Sequence, residues 1–322
     1  MDIPERTVSN VLDTCLGVMR DEDLVLLTDS GTDLTIVAAL RQGIESRGAR
    51  CVVAVLERYE RPGSEPPRSV AALLSSCDAA VELTSTFIGS SQARQAATAN
   101  GVRYIAMPGV APDTFRLGGP LDVDFDKLRP ITEQIARGWE DASTFRITSR
   151  GGTDIQGSVL GRKGRALHGI ARTSGAYMAP PDIESGTAPV EGSVNGIVVV
   201  DADFLFMGQG PLAEPVALHF RDGLLVSVEG RESFRLENML ELCADERMTN
   251  LAEVSVGLNP NGRVCGVAME TESTLGTAHI ALGNSIAYGG NVAAIAHLDC
   301  VMKDAVLEFD GREVLHEGRL VT

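Results

Sequence analysis

Basic charge is scarce in this 322-residue chain: 28 Lys and Arg stand against 44 Asp and Glu, a formal net charge of −16. That balance excludes a nucleic-acid binder held by a broad basic surface, because nothing offsets repulsion from the phosphates. It also disfavours docking on anionic lipid. No run of about 18 apolar residues is present, so no membrane-spanning helix is expected. The opening Met1-Asp2-Ile3-Pro4-Glu5-Arg6 lacks the basic head and apolar stretch of a signal peptide, which points to a cytoplasmic protein. The six cysteines (Cys15, Cys51, Cys77, Cys243, Cys265, Cys300) show no C-x-x-C spacing, and in a reducing compartment they read as free thiols in apolar surroundings. Thr28-Asp29-Ser30-Gly31-Thr32 sits where a nucleotide fold would place its phosphate loop, yet it lacks G-x-G-x-x-G and G-x-x-x-x-G-K-[ST]. Without those glycines the backbone cannot wrap a pyrophosphate closely, so a plain turn with a helix cap is expected there and no cofactor-binding loop.

What is present is the composition of a folded protein: 44% apolar and 22% charged residues. The length suits two domains at roughly 150 residues each. The apolar spacing predicts helices over 8–19, 33–47, 69–76 and 91–100, alternating with strands over 23–28, 51–56, 79–83 and 103–107. Such alternation implies an α/β N-terminal domain with a parallel sheet and helices on both faces, residues 1–143, closed by a helical segment over 127–143. From Phe145 the strand-like pieces are short and separated by Gly, Asn and Asp. They cover 145–148, 158–160, 196–200, 224–228, 264–269 and 305–309, with a helix around 237–245. This texture predicts an α+β C-terminal domain with mostly antiparallel strands, residues 144–322. Arg162, Lys163 and Arg165 read as the solvated tip of a hairpin.

Chemistry concentrates in that second half. Of the five histidines, His168, His219 and His316 have no carboxylate framework and read as structural. His297-Leu298-Asp299 is an H-x-D pair, and residues i and i+2 of a strand share a face, so imidazole and carboxylate can reach one ion. The apolar 293–296 ahead of it supports a buried strand, and His279 opens another short apolar strand. Glu253 interrupts an apolar run, Glu272 lies seven residues before His279, and Glu184 sits at an expected turn after Pro180-Pro181. Between Asn261 and Lys303 the one basic residue is Arg263. A carboxylate buried in an apolar run needs a cation, and with so few Lys and Arg nearby a metal ion is the natural counter-charge. Two imidazoles and four carboxylates without a cysteine pattern suit Zn²⁺, Co²⁺, Mn²⁺ or Fe²⁺, and outnumber the needs of one ion. Tyr288, in a glycine-rich loop between the two histidine strands, is placed to stabilise an oxyanion or orient substrate, or to pack.

Four local patterns resemble the thermophilic metallo-aminopeptidases of the aminopeptidase T and aminopeptidase S type. They are Pro181-Asp182-Ile183-Glu184 leading to Thr187-Ala188-Pro189, Asn250-Leu251-Ala252-Glu253, Glu272 with Gly276-Thr277-Ala278-His279-Ile280-Ala281, and His297-Leu298-Asp299. Glu65-Pro66-Pro67 and Ser91-Gln92-Ala93-Arg94 extend the likeness into the N-terminal half. The resemblance implies a two-metal site of Glu184, Glu253, Glu272, His279, His297 and Asp299, with Glu253 bridging and Glu184 or Glu253 assisting proton transfer. It implies a catalytic role for Tyr288, which here follows His279 by nine residues. Cleavage of an amide bond in a small peptide or amino-acid amide, two Zn, Co or Mn ions and a homodimer are the matching expectations. The sequence is also similar in scaffold to the 2,5-dihydroxypyridine 5,6-dioxygenases, whose single Fe(II) is held by two His and one Asp. His297 and Asp299 match two of those ligands, and the third, a His, falls on Glu253. The alternative function is therefore ring cleavage of a hydroxylated pyridine or similar aromatic by one Fe(II). The partner in either case is a small molecule or short peptide.

Overall fold

The computed structural model describes residues 2–208 and 210–321. The chain folds as two compact units. One comprises the segment ending at Lys127 together with His168–Asp182, and the other comprises Leu128–Leu167 together with the segment from Ile183 on. The expected boundary at 143/144 thus lies earlier, inside the helix Phe125–Asp141, and a later segment returns to the first unit. The returning segment does so because its strand Tyr177–Met178 hydrogen-bonds beside Arg103–Ala106, a non-local pairing that no local period reveals.

The first unit is the expected α/β domain. Its five strands are all parallel, in the order Arg50–Val55, Asp23–Thr28, Ala79–Glu82, Arg103–Ala106, Tyr177–Met178. The helix Leu34–Ser46 shows why the local pattern is readable. Asp33 caps it by accepting from the Thr35 amide, and Ile36, Val37, Leu40 and Ile44 form its buried stripe. Near the N-terminus, Val8, Val11, Leu12, Cys15 and Leu16 are buried as their spacing requires. The helix carrying them is α-helical over Glu5–Ser9 and then widens to a π-helix over Asn10–Leu16.

The second unit holds two antiparallel sheets, as the broken strand pattern implied. The larger has eight strands, ordered Leu224–Glu229, Val216–Arg221, Asn195–Val200, Asp154–Ser158, Thr144–Ser149, Ala305–Phe309, Arg312–His316, Arg319–Leu320. Trp139 of the long helix packs edge-on to Phe145 and Phe309 of this sheet, at centroid distances of 6.1 and 4.7 Å. The smaller sheet has six strands, ordered Asp203–Phe204, His297–Met302, Ala278–Gly283, Leu251–Gly257, Glu184–Thr187, Arg165–Leu167.

Several local expectations differ from the structure. Residues 264–269 are not a strand: the chain turns there and then forms the helix Ala268–Ser273, whose residues are all buried. Its polar residues Glu270, Thr271, Glu272 and Ser273 are buried along with Ala268 and Met269, so no alternation of apolar and polar faces marks it as a helix. The strand expected over 158–160 is Asp154–Ser158, and the apolar 293–296 stays irregular until the strand starts at His297. Glu184 begins a strand rather than a turn. The Gly186 that suggested a turn instead permits close strand approach, since a Cβ there would lie 2.5 Å from Ser255 Oγ and 2.7 Å from the Val254 carbonyl. All six cysteines are free.

Candidate metal centre

Five acidic or imidazole side chains are brought together by strand register alone. In the six-stranded sheet, Gly257 pairs with Glu184, Ser255 with Gly186 and His279, Glu253 with Ala281, Ala281 with Asp299, and Gly283 with His297. Directly paired residues of antiparallel strands project to the same face, and residues two apart along one strand do likewise. Glu184, Glu253, His279, His297 and Asp299 therefore share one face. The positions between them on that face are Gly186, Ser255, Gly257, Ala281 and Gly283, all small, which leaves room above the sheet. A bulge between Leu251 and Glu253 adjusts the aim of the central glutamate. Glu272 reaches the same place from the helix Ala268–Ser273, and Tyr288 from the short turn Ile286–Tyr288.

The distances are those of one cluster. His279 Nε2 lies 3.3 Å from Glu184 Oε2 and 3.3 Å from Glu253 Oε1. His297 Nε2 lies 2.9 Å from Glu253 Oε2 and 3.2 Å from Asp299 Oδ1, so the H-x-D pair does meet on one face. Three sets have ligand atoms within 4.8 Å of one another: Glu184, Glu253 and His279; Glu253, His297 and Asp299; Glu272, His279 and Asp299. The Tyr288 hydroxyl donates to Glu184 Oε1 at 3.2 Å, and the Tyr288 ring stacks on His297 at 5.4 Å and 8°.

The electrostatics call for a cation. Glu253 is fully buried, and Glu184 and His279 nearly so. Burial pushes the Glu184 carboxyl up to about 7, with the charges of Glu253 and Asp299 adding and His279 opposing. Burial pushes Glu253 the same way, but the two imidazoles that face it, His279 and His297, prevail and hold it at about 2. Both imidazoles move up against their own desolvation, because carboxylates surround them; His279 reaches about 9. Burial and neighbouring carboxylates raise the Tyr288 phenol well above its ordinary range, so it stays a hydrogen-bond donor.

Donor chemistry fits a metal. His297 Nδ1 lies 2.7 Å from the Asn284 carbonyl, which can only accept, so Nδ1 carries the proton and Nε2 turns toward the carboxylates. Nε2, facing two carboxylate oxygens, must either carry a proton itself or meet a cation there, and a divalent ion in that proton's place would take the same atoms as ligands. Glu184 Oε2, Glu253 Oε1, His279 Nδ1 and Ser255 Oγ are buried atoms without a hydrogen-bond partner. Orphaned oxygens of two buried carboxylates on one face are what an N/O-ligated divalent ion would satisfy.

Arg162 and Arg165 are missed by the sequence reading. They are not a solvated tip: Arg165 lies over the Tyr288 ring at 4.6 Å, and Arg162 pairs with Glu191 and is largely covered. Their contacts join segments more than a hundred residues apart, so no local signal marks them.

No curated protein sequence matches the chain. Among solved structures it is similar to the 2,5-dihydroxypyridine dioxygenase of Pseudomonas putida KT2440, with a TM-score of 0.81 and 17% identity over 98% of this chain and 96% of that one. It is also similar to AmpT of Thermus thermophilus, with a TM-score of 0.72 and 16% identity over 99% of this chain and 98% of that one. At such identities the likeness speaks for the fold, and both relatives named in the sequence reading share it. The family profile of NicX, 2,5-dihydroxypyridine 5,6-dioxygenase, matches residues 5–322 and so spans both units and the whole carboxylate–imidazole cluster. The chain belongs to the NicX family.

Proposed function

We propose that this chain is a divalent-metal-dependent hydrolase that cleaves an amide bond of a small peptide or amino-acid amide at the cluster around Glu253. The observation that carries this reading is the division of Glu253. Its Oε1 faces His279 and its Oε2 faces His297. Each imidazole also lies beside a further carboxylate, Glu184 for His279 and Asp299 for His297, and a third set joins Glu272, His279 and Asp299. One carboxylate shared by two sets, each with a single imidazole, suits a pair of ions better than one. Bound there, divalent ions supply Lewis acidity to the scissile carbonyl and to the attacking water.

The chain's own residues supply the rest. Glu184, nearly fully buried at the cluster with the Tyr288 hydroxyl on its Oε1, is placed to take and return a proton. Tyr288 stays protonated and offers its hydroxyl beside Glu184, where it can donate to an oxyanion. The Asn284 carbonyl keeps His297 turned inward.

A second reading has its own support. Ring cleavage of a hydroxylated pyridine or similar aromatic by one Fe(II) is favoured by the family match and by the P. putida fold match, and the comparisons stand nearer to it than to hydrolysis. Against it stands the donor chemistry: none of the three sets among the described residues contains two imidazoles, whereas a two-His, one-carboxylate triad needs both in one shell.

Metal analysis of protein purified anaerobically without a His tag separates the two. About two equivalents of Zn, Co or Mn, with release of arylamine from an amino-acid anilide, supports the hydrolase. About one equivalent of Fe, with oxygen uptake on adding a dihydroxypyridine, replaces it with the dioxygenase. Protein that holds no metal and takes up none overturns both.

A further inference from the structure

The turn that carries Tyr288 exposes Ile286 and Ala287 and only half-buries Tyr288 itself. Something else must hold it, since a short exposed turn with glycines after it would otherwise open readily. Two arginines do so. Arg165 pairs with Gly186 in the edge strand of the six-stranded sheet, which puts it on the same face as the cluster. Its guanidinium lies 4.6 Å over the Tyr288 ring, and its Nη1 donates to the Ala287 carbonyl at 3.1 Å. Arg162 donates through Nη1 to the Gly289 carbonyl at 2.6 Å and through Nη2 to the Pro189 carbonyl at 3.2 Å. It also pairs with Glu191, whose Oε1 accepts from the Asn291 amide at 2.8 Å. The carbonyls immediately before and after Tyr288 are thus each tied to a different arginine.

We propose that Arg165 and Arg162 are positioning residues for Tyr288, acting together as a clamp that sets its hydroxyl on Glu184 and its ring on His297. Arg165, Tyr288 and His297 form a column of planar groups, cation over ring over imidazole. The guanidinium both stacks and donates in plane, which a lysine ammonium cannot do. The column fixes the ring in depth, and the two carbonyl contacts fix the backbone on either side of it. This rests on reading the cluster as a metal centre with Tyr288 at its edge.

The test uses the full chain, metal-free and Zn²⁺-loaded, with Arg165→Gln, Arg162→Gln, Tyr288→Phe and the double variant Arg165→Gln/Tyr288→Phe. In the metal-free protein, hydrogen exchange at amides 286–290 should speed up at least about tenfold in either arginine variant, with the strand 251–257 unchanged. On an amino-acid p-nitroanilide, R165Q should lower kcat at least about tenfold with KM within about threefold, and the double variant should be no slower than Y288F, because the arginine acts through the tyrosine. Unchanged exchange at 286–290 in both arginine variants, or a double variant that multiplies the two single losses, overturns the proposal. If the wild-type protein cleaves no anilide, the hydrolase reading fails and the exchange measurement alone decides the clamp.

Discussion

Glu82 and Glu253 are both 0% exposed, and each sits in a strand among apolar neighbours. Glu82, in the parallel sheet, accepts from the Ile88 amide at 2.7 Å, the Tyr104 hydroxyl at 2.8 Å and the Thr84 hydroxyl at 3.3 Å. Its partners are neutral donors, and burial pushes its carboxyl up to about 7. Glu253, in the antiparallel sheet, faces two imidazoles, keeps one oxygen without a hydrogen bond and is held at about 2. The first glutamate is satisfied by its own fold; the second is left waiting for charge. Burial alone does not mark a site. What marks it is burial with donors that do not close.

Removing the waiting carboxylate should have the largest effect. Glu253→Gln should weaken metal binding at least about a hundredfold and abolish turnover, while the metal-free protein keeps its fold, as elemental analysis and circular dichroism would report. Full metal content in that variant would erase the contrast between the two glutamates.

The pH dependence of stability tests the other side. The Glu82 carboxyl titrates at about 7 in the folded chain, above the ordinary 4.5. Between those values the unfolded chain gives up this proton and the folded chain keeps it. Stability should therefore fall as pH rises through that window, by roughly 3 kcal/mol in total, and change little from this group above or below it. Glu82→Gln should flatten that slope in urea titrations at several pH values; an unchanged slope would mean that Glu82 is already ionised when folded.

Chelation should act on one glutamate's surroundings only. Stripping an ion held at a hundred times its Kd should cost about 2.7 kcal/mol and lower Tm by several degrees, and Glu253→Gln should show no such response. The smallest effect sharpens the comparison most. Tyr104→Phe, which removes a donor from Glu82, should cost about 1–3 kcal/mol of stability. Tyr288→Phe should cost under about 1 kcal/mol and register in kcat instead. Equal stability losses from the two tyrosines would make Tyr288 a packing residue.

The sequence carries the parts of this molecule that are local. Helix periods, the cap at Asp33, the H-x-D step and the charged interruption at Glu253 each follow from a few neighbouring residues, and the alternation of elements announces the parallel sheet. The helix at Ala268–Ser273 was hidden because burial on all sides left no stripe. The strand at Glu184 was hidden because Gly186 is a turn residue in isolation and a spacing residue beside Ser255. The clamp of Arg162 and Arg165 was hidden because its partners lie far along the chain. Candidate donors were legible one by one; their common face was not, since it depends on register.

That dependence reaches beyond chemistry to how the protein is made. The strands of the six-stranded sheet run across it in nearly reversed chain order, so the donor-bearing face draws on pairs as distant as the 104 residues between Glu184 and Tyr288. Non-local closure of this kind is slow, and a slip of one residue in any strand turns its donors to the opposite face. A chain still emerging from the ribosome, or clipped before residue 299, would have no complete set at the His297 end. If the cluster holds ions as proposed, a full load per chain would report finished synthesis and correct registry, and so would measure folding quality as directly as activity.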